Sequence, residues 1–364
     1  MRLSFTLSAY IGRLFVFRFG AVLLALTAIA FLLDLIELLR RASTHPDVTV
    51  GTVVQLSLLK LPYLIQEMIP FVVLFATMLT LWRLSRSSEL AVIRAAGISV
   101  WQFLLPALVI VLAIGALRLA VLNPVGAVLY STFEQAEAKL LRGRTSLLAV
   151  SQSGFWLRQT DGQGNAVIHA LRVASQHMEL YDVIIFNFEG ADRFVSRIDA
   201  ASARLEPGAW VLRDAWISVP EQPPRFEKVY RLPTEMTIER IRESFASPET
   251  ISFWELPEFI RLLENAGFSA VQHRLHWHRL LSGPLLLAAM VLLAATFSLR
   301  PPRRGGAALL VVAGILAGFM LYFLSNLVAA LGQGARIPVV LAAWTPAGVS
   351  TLLAVSLLLH LEDG

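Results

Sequence analysis

The sequence contains no cysteine and few charged residues. Without cysteine, a disulfide framework, a thiolate metal site and a cysteine nucleophile are all excluded, and redox chemistry gives no information about the compartment. Only 16% of the 364 residues are charged, whereas 56% are hydrophobic and the mean hydropathy is +0.65. A soluble domain carries more charge and fewer apolar residues. The composition therefore indicates an integral membrane protein.

Lysine is scarce as well, and none of its occurrences fits a nucleotide-binding loop. A Walker A loop needs glycine directly before its lysine. Here Lys60, Lys139 and Lys228 follow Leu59, Ala138 and Glu227. Any ATP-driven work must therefore come from a partner. The sequence also offers no convincing set of converging carboxylates, metal-binding histidines or nucleophile with its base, so we predict a non-catalytic chain without a cofactor.

Six long apolar segments, divided three and three around a polar insert of roughly 140 residues, organise the chain. Spans of about 20 residues are what the hydrocarbon core of a bilayer requires. We predict an α-helical membrane protein with spans at Leu14–Leu33, Leu61–Trp82, Val100–Leu122, Leu280–Leu299, Ala307–Leu331 and Ile337–Leu359.

Arginine clusters predict the orientation of these spans. Three clusters fall on one side: Arg2, Arg13 and Arg18; Arg83, Arg86 and Arg94; Arg300, Arg303 and Arg304. The positive-inside rule makes that side cytoplasmic, with both termini inside and residues 123–279 outside, in the periplasm or its equivalent. Because the arginines flank spans rather than form one stripe, the net charge of +5 does not indicate nucleic-acid binding. A cleaved signal peptide is the alternative for the first segment, which ends near Ala28-Ile29-Ala30.

The insert shows the pattern of a run of antiparallel strands. Short stretches rich in Val, Ile, Phe and Trp alternate with Gly- and Pro-containing turns, which predicts strands at 151–159, 166–173, 180–188, 193–205, 210–219 and 226–232. Ile184, Phe186 and Phe188 share one face of the third strand. That face belongs either to an ordinary core or to a groove that holds lipid chains.

The segment Leu84–Gly97 predicts a short helix parallel to the membrane on the cytoplasmic side. A serine is available as N-cap and Gly97 as a C-terminal stop. The helix carries one acid, Glu89, between Arg86 and Arg94, and a face of alanines that allows close approach. It either docks in the groove of a partner or is an interfacial loop in which Glu89 pairs with Arg86.

A second amphipathic helix is predicted after the strands. Ser252 and Glu255 have the spacing of a capping box, and apolar residues recur at helical intervals up to Leu263. These features predict four parts: residues 1–130 with three spans and the helix at 84–97, a β domain at 131–250, a linker helix at 251–271, and three further spans at 272–364.

The second span and the segment after it resemble the LptF/LptG family of lipopolysaccharide export permeases. The resemblance rests on Leu61-Pro62, Ile69-Pro70 and the run from Ser88 to Gly97, and the order of spans and insert extends it over essentially the whole chain. It implies that the segment holding Arg86, Glu89 and Arg94 is a coupling helix that contacts the ATPase subunit LptB. It also implies a jellyroll-like periplasmic β domain.

The resemblance implies partners and a location too. These are an LptB-like ATPase dimer, a paralogous LptF-like permease that forms a heterodimer with this chain, an LptC-like periplasmic bridge component and lipopolysaccharide, all at the bacterial inner membrane. Within the family, three stretches resemble LptG more than LptF: Leu35–Ala42, Phe155-Trp156 and Gly314–Phe319.

Arg40 and Arg41 lie just outside the first span, where positive charge is disfavoured. The resemblance implies that they bind the phosphorylated head of lipopolysaccharide, and guanidinium forks suit phosphate. The alternative is stop-transfer charge balanced by neighbouring acids. Gly314 and Gly318 form a Gly-x-x-x-Gly pattern that permits close helix approach. The family places them at a lateral gate, and ordinary packing is the alternative.

The sequence therefore predicts a permease subunit of an ABC transporter that extracts lipopolysaccharide from the inner membrane and passes it to a periplasmic bridge. A lipoprotein-releasing or mechanotransmission permease is a second transporter class, but such proteins carry four spans with the large domain after the first. An intramembrane lipid enzyme and a scaffold that anchors a β domain are the alternatives from other classes.

Overall fold

The computed structural model describes residues 5–44, 48–141, 148–151, 154–161, 164–174, 179–189, 193–234, 236–237, 246–265, 269–299, 307–334 and 336–363. Its helices are α1 (Phe5–Ala42), α2 (Val50–Arg86), α3 (Glu89–Ala95), α4 (Val100–Leu117), α5 (Asn123–Leu141), α6 (Leu256–Asn265), α7 (Val271–Ser298), α8 (Ala307–Gln333) and α9 (Val339–Asp363). A π-turn over Arg118–Leu122 joins α4 to α5.

Six helical stretches in the described residues are long and apolar enough to cross a bilayer: α1, α2, the continuous stretch from α4 into α5, α7, α8 and α9. This confirms the six predicted spans. Several run longer than the apolar segments alone indicated. The 38 residues of α1 extend about 57 Å at 1.5 Å per residue, so its ends reach past a hydrocarbon core of about 30 Å.

The junction between α4 and α5 is held by a side chain from α2. A π-turn disturbs the regular backbone hydrogen bonds of a helix. The Nε2 of Gln66 donates to the carbonyl of Leu122, the last residue of the turn, at 3.1 Å. This bond gives a partner to a backbone acceptor among the membrane-spanning helices. Gly126 provides the room, because a Cβ there would lie 2.4 Å from that same Nε2.

The described residues of the insert form one antiparallel sheet of seven strands in chain order. The strands are β1 (Leu148–Ser151), β2 (Gly154–Asp161), β3 (Gly164–Ala174), β4 (Glu179–Glu189), β5 (Arg193–Glu206), β6 (Ala209–Ser218) and β7 (Arg225–Pro233). The prediction of an inserted all-β domain is confirmed. The single strand predicted to begin at Ser151 is instead a hairpin of β1 and β2.

One face of this sheet is its core. Residues directly opposite one another on successive strands form a fully buried apolar row: Leu157, Ile168, Ile185 and Ile198. Large side chains from β2 and β6, Phe155 and Trp210, are buried as well. Cross-strand apolar pairs of this kind stabilise a sheet and fix its register.

The second amphipathic helix, α6, begins at Leu256, four residues after the Ser252 cap that the sequence predicted. The residues between them form a turn, in which the backbone N–H of Phe253 donates to the Oδ1 of Asn123 at 2.7 Å. A hydrogen bond to a residue 130 positions away thus replaces the local capping box. Leu256, Ile260 and Leu263 are buried at the predicted helical spacing.

The chain folds as two compact units. The membrane unit comprises Met1–Arg142, Glu249–Trp254 and Arg274–Gly364, and the β unit comprises Gly143–Pro248 and Glu255–His273. Helix α5 continues to Leu141, so the first helical part extends past residue 130. The short segment Glu249–Trp254 is part of the membrane unit although the residues on both sides of it belong to the β unit.

Candidate functional site

Helix α3 is separated from α2 by two serines. Helix α2 continues to Arg86, and Ser88 adopts a φ of 61°, in the left-handed region. This conformation cannot continue a right-handed helix. The helix predicted over 84–97 is therefore split, and only Glu89–Ala95 forms the short helix. Gly97 has a φ of 78°, which confirms it as the helix stop, since glycine adopts this conformation without a Cβ clash.

Helix α3 has a buried face and an exposed face. Leu90 and Ile93 are buried in an apolar cluster to which α1 contributes Ile11 and α4 contributes Phe103. On the other face the side chains of Ala91, Val92, Arg94 and Ala95 are exposed, and Val92 is 68% exposed. The helix is therefore anchored in the membrane unit, and its other face exposes small, apolar and basic side chains.

Both carboxylate oxygens of Glu89 accept hydrogen bonds from neighbouring hydroxyls. The Tyr10 hydroxyl of α1 donates to Oε2 at 2.9 Å, and the Ser87 hydroxyl donates to Oε1 at 2.8 Å. The guanidinium of Arg86 lies over the ring of Trp82, 5.3 Å from its centroid. Among the described residues Glu89 thus bonds to hydroxyls, whereas the interfacial-loop alternative paired it with Arg86.

At the other end of α1, Arg40 and Arg41 are held by acids. The Nε and Nη2 of Arg40 donate to the two carboxylate oxygens of Glu37, both at 2.9 Å. Arg41 Nε donates to Glu37 at 2.8 Å, and its Nη1 donates to Glu137 of α5 at 3.2 Å. The side chain of Arg40 is 73% exposed, whereas that of Glu137 is only 8% exposed. A lipid phosphate at this place would have to share these guanidinium groups with carboxylates.

A second ion pair lies beside this one, between α1 and α2. Lys60 Nζ lies 2.5 Å from Asp34 Oδ1, and the Ser57 hydroxyl donates to Asp34 Oδ2 at 2.9 Å. The ammonium group also lies 5.4 Å from the ring centroid of Phe133 in α5. Buried apolar residues of α1, α2 and α5 support both pairs: Leu38, Ala42, Val53, Leu56 and Phe133. In the described part of this bundle end, the cations Arg40, Arg41 and Lys60 therefore lie close to the acids Glu37, Glu137 and Asp34.

Gly314 and Gly318 are buried against α2 of the same chain. A Cβ on Gly314 would lie 2.6 Å from Met78 Cε, and one on Gly318 would lie 2.3 Å from Leu74 Cδ2. The contacts observed are those of close packing between α8 and α2. A different face of α8, which includes Leu316, is exposed. The assignment of the two glycines to a lateral gate stays a prediction.

On β4 the side chains of Ile184, Phe186 and Phe188 are partly buried. They share one face, and the fully buried Val183 and Ile185 belong to the other. Their cross-strand neighbours on β5 include charged residues, because Ile184 lies opposite Asp199 and Phe186 lies opposite Arg197. The predicted face is therefore amphipathic, whereas the core row around Ile185 is wholly apolar.

Two of the predicted sites, Glu89 and the pair Arg40 and Arg41, lie at opposite ends of α1. Glu89 lies at one end, through Tyr10, and Arg40 with Arg41 at the other. Sequence reasoning did not assign a role to Tyr10, Lys60 or Glu137. For Lys60 and its partner Asp34, the available signal was their position directly beside the predicted spans, Asp34 after Leu33 and Lys60 before Leu61. Nothing in the sequence pointed to Tyr10, because its contact is 79 residues away.

Comparison with known proteins agrees with this architecture. The sequence model of the family described as "Lipopolysaccharide export system permease LptF/LptG" matches residues 9–360. The chain is 25% identical over 367 aligned positions to the "Lipopolysaccharide export system permease protein LptG" of Escherichia coli (strain K12), covering 97% of this chain and 98% of the relative. It is 23% identical over 359 positions to the protein of the same description in Haemophilus influenzae, with 94% of each chain covered. With a family match that spans nearly its whole length, six membrane helices and an inserted β unit, the chain belongs to the LptF/LptG family of lipopolysaccharide export permeases.

Proposed function

We propose that this chain is the LptG-type permease of an ABC transporter, which takes lipopolysaccharide from the inner membrane and drives it onto a periplasmic bridge toward the outer membrane. The observation that carries the proposal is that α1 connects the two predicted sites. The contact of Tyr10 with α3 lies near the start of α1, and the Arg40–Arg41 cluster lies at its end. The 30 residues between them extend about 45 Å, more than the hydrocarbon core of about 30 Å. One helix thus links an ATPase-facing end to a lipid-facing end.

Helix α3 is the contact through which ATP-driven movement reaches this chain. The sequence has no Walker A pattern, because no lysine follows a glycine. We therefore assign ATP hydrolysis to an LptB-like dimer that binds the exposed face of α3. Arg86, Glu89 and Arg94 are the charged residues of this contact. The burial of Leu90 and Ile93 supports the assignment, because movement of the docked helix would be passed directly to the spans that pack around it.

The lipid head binds at the other end of α1. We assign Arg40 and Arg41 to the phosphates of lipopolysaccharide, with Glu37 occupying part of their donors while no lipid is bound. Such an exchange of one anion for another keeps the guanidinium groups paired in both states, and it avoids the cost of leaving a charge without a partner. Lys60 and Asp34 are close enough in the same bundle to respond when the arginines change partner.

The lipid chains pass to the β unit, and we assign Ile184, Phe186 and Phe188 to this contact. The partly exposed apolar side chains of this face support the assignment, and the buried row around Ile185 is the rival surface. An LptC-like component would continue the sheet toward the outer membrane. A paralogous LptF-like permease would complete the transporter, with Gly314 and Gly318 letting α8 lie close to α2 at the lateral gate.

The proposal requires that both termini are cytoplasmic and that the β unit is periplasmic. Reporters fused after Gly97 and after Gly305 should therefore score as cytoplasmic, because arginine clusters flank both positions. A reporter inserted within residues 162–165 should score as periplasmic. Each position should be tested with an alkaline phosphatase fusion and with a fluorescent protein fusion, so that a location on either side of the membrane gives a positive signal. A cytoplasmic score at 162–165 would overturn the proposed route of the lipid.

Copurification tests the proposed function as a whole. When the tagged chain is purified from membranes, it should retain an ATPase, a second permease of the same family and lipopolysaccharide. Purification with a bridge component but without an ATPase would instead indicate a scaffold that only anchors the β unit.

A further inference from the structure

The contact between α1 and α3 consists of one polar and one apolar part. Tyr10 donates its hydroxyl to Glu89 at 2.9 Å, and the next residue, Ile11, is buried in the cluster that holds Leu90 and Ile93. Hydrophobic attraction is not directional, so the apolar cluster passes on a movement of α3 but does not by itself define the orientation of α3 on α1. A hydrogen bond has a defined distance and angle. The hydroxyl of Tyr10 therefore fixes how α3 sits on α1, while the apolar cluster keeps the two in contact.

Helix α1 is suited to transmit a movement. It is a continuous helix from Phe5 to Ala42 and contains no proline, whereas α2, α4, α7 and α9 each contain at least one. Helices bend mainly at proline, at π-bulges or where the backbone hydrogen bonds are interrupted. A tilt or rotation imposed on α1 at Tyr10 therefore reaches Arg40 with little loss.

We propose that Tyr10 is a positioning residue of the transporter, which acts through Glu89 to link the movement of α3 to α1 and so to the lipid site at Arg40 and Arg41. This inference rests on the proposed function, since it assumes that α3 receives the ATPase. It assigns the polar contact between α1 and α3 to the hydroxyl group of Tyr10. The Ser87 hydroxyl orients the second carboxylate oxygen of Glu89 but belongs to the turn before α3, so it does not reach α1.

The test is Tyr10→Phe in the complete transporter, reconstituted in vesicles with its ATPase and permease partners. This change keeps the ring and removes only the hydroxyl. We expect assembly and ATP hydrolysis to persist, while the amount of lipopolysaccharide delivered per ATP falls about three- to tenfold, the factor that the net contribution of one typical hydrogen bond corresponds to. The ratio is the informative quantity, because a purely structural role would lower assembly and hydrolysis together with delivery.

A matched control is available in the β unit. The hydroxyl of Tyr181 also donates to a glutamate, Glu179, at 3.3 Å. Because both residues lie on β4, where the lipid is proposed to pass, the control is placed on the edge strand β7: Tyr230→Phe removes a tyrosine hydroxyl away from β4 and from the α1–α3 contact, and it should leave delivery per ATP unchanged.

Two results would overturn the inference: delivery per ATP by Tyr10→Phe equal to wild type, or loss of the bound ATPase, which would assign the hydroxyl to assembly. Glu89→Lys separates this failure from that of the proposed function. If Glu89→Lys binds the ATPase and exports lipid normally, then the role of α3 itself is refuted. If Glu89→Lys is defective and Tyr10→Phe is not, the ATPase contact stands and only the link through Tyr10 is refuted.

Discussion

Glu89→Lys should reduce ATP-driven lipid export at least tenfold while the chain still inserts into the membrane. The carboxylate accepts hydrogen bonds from Tyr10 and Ser87, and an ammonium group has no lone pair with which to accept either. The change also adds a cation beside Arg83, Arg86 and Arg94. Each hydrogen bond to a charged group contributes roughly 1.5 to 3 kcal/mol, reduced at an exposed site, so the loss of two exceeds a factor of ten.

The measurements for this variant are the ATPase retained on purification and the lipopolysaccharide released per ATP hydrolysed. Glu89→Gln keeps an acceptor oxygen, so its lipid release per ATP should lie between that of wild type and that of Glu89→Lys. Glu221→Lys makes the same charge change at an exposed turn of the β unit and serves as the control. Normal assembly together with normal export by Glu89→Lys would refute the assignment of α3 to the ATPase.

The double variant Arg40→Glu with Arg41→Glu should lose most of its bound lipopolysaccharide while its complex with the ATPase and the second permease stays assembled. One substitution should weaken loading about tenfold and two should weaken it more, because each removes a charge-assisted contact and adds a repulsive charge. The repulsion is strengthened by Glu37, which lies beside both positions, and by Glu137, which lies beside Arg41. Lysine replacements should retain part of the binding, since they keep the charge but lose the planar fork.

The pairing of Glu37 with Arg40 and Arg41 predicts that another variant of this site binds more lipid, not less. Glu37→Gln removes the carboxylate that competes with phosphate for both guanidinium groups, so this variant should copurify with more lipid than wild type. The amount of lipopolysaccharide per purified chain measures all of these variants. Arg172→Glu is the matched control, because it breaks a comparable exposed arginine–aspartate pair, with Asp182, in the β unit. Wild-type amounts of lipid on the double variant would mean that the arginines only determine topology.

Much of the architecture follows from periodicity and length. The six spans were predicted because apolar runs of about 20 residues have few other stable environments. The strands β3, β4 and β5 begin and end within two residues of their predicted bounds, since alternation and turn residues are local signals. Local signals gave a wrong prediction where a contact with a distant residue determines the backbone conformation. Ser252 does not cap α6, because Asn123 accepts the hydrogen bond of Phe253 and holds the preceding residues in a turn.

The candidate site divides in the same way. Arg40, Arg41 and Glu89 stood out because a charge beside an apolar span is conspicuous in the sequence itself. Their partners did not, because they come from other helices. Glu137 is 96 residues from Arg41, and Tyr10 is 79 residues from Glu89. Single-sequence patterns carry no information on such pairings, which depend on how α1 packs against α3 and α5.

We propose that ATP hydrolysis by a partner drives lipopolysaccharide from the membrane unit onto the β unit of this chain. The most direct measurement places a photocrosslinking amino acid at Ile184, Phe186 or Phe188, and for comparison at Val183 or Ile185, in transporter reconstituted with lipopolysaccharide. We expect crosslinks at 184, 186 and 188 that appear only when the ATPase is active. If no ATP-dependent crosslink forms at any position on either face of β4, the lipid does not pass along this strand and the proposed route is refuted.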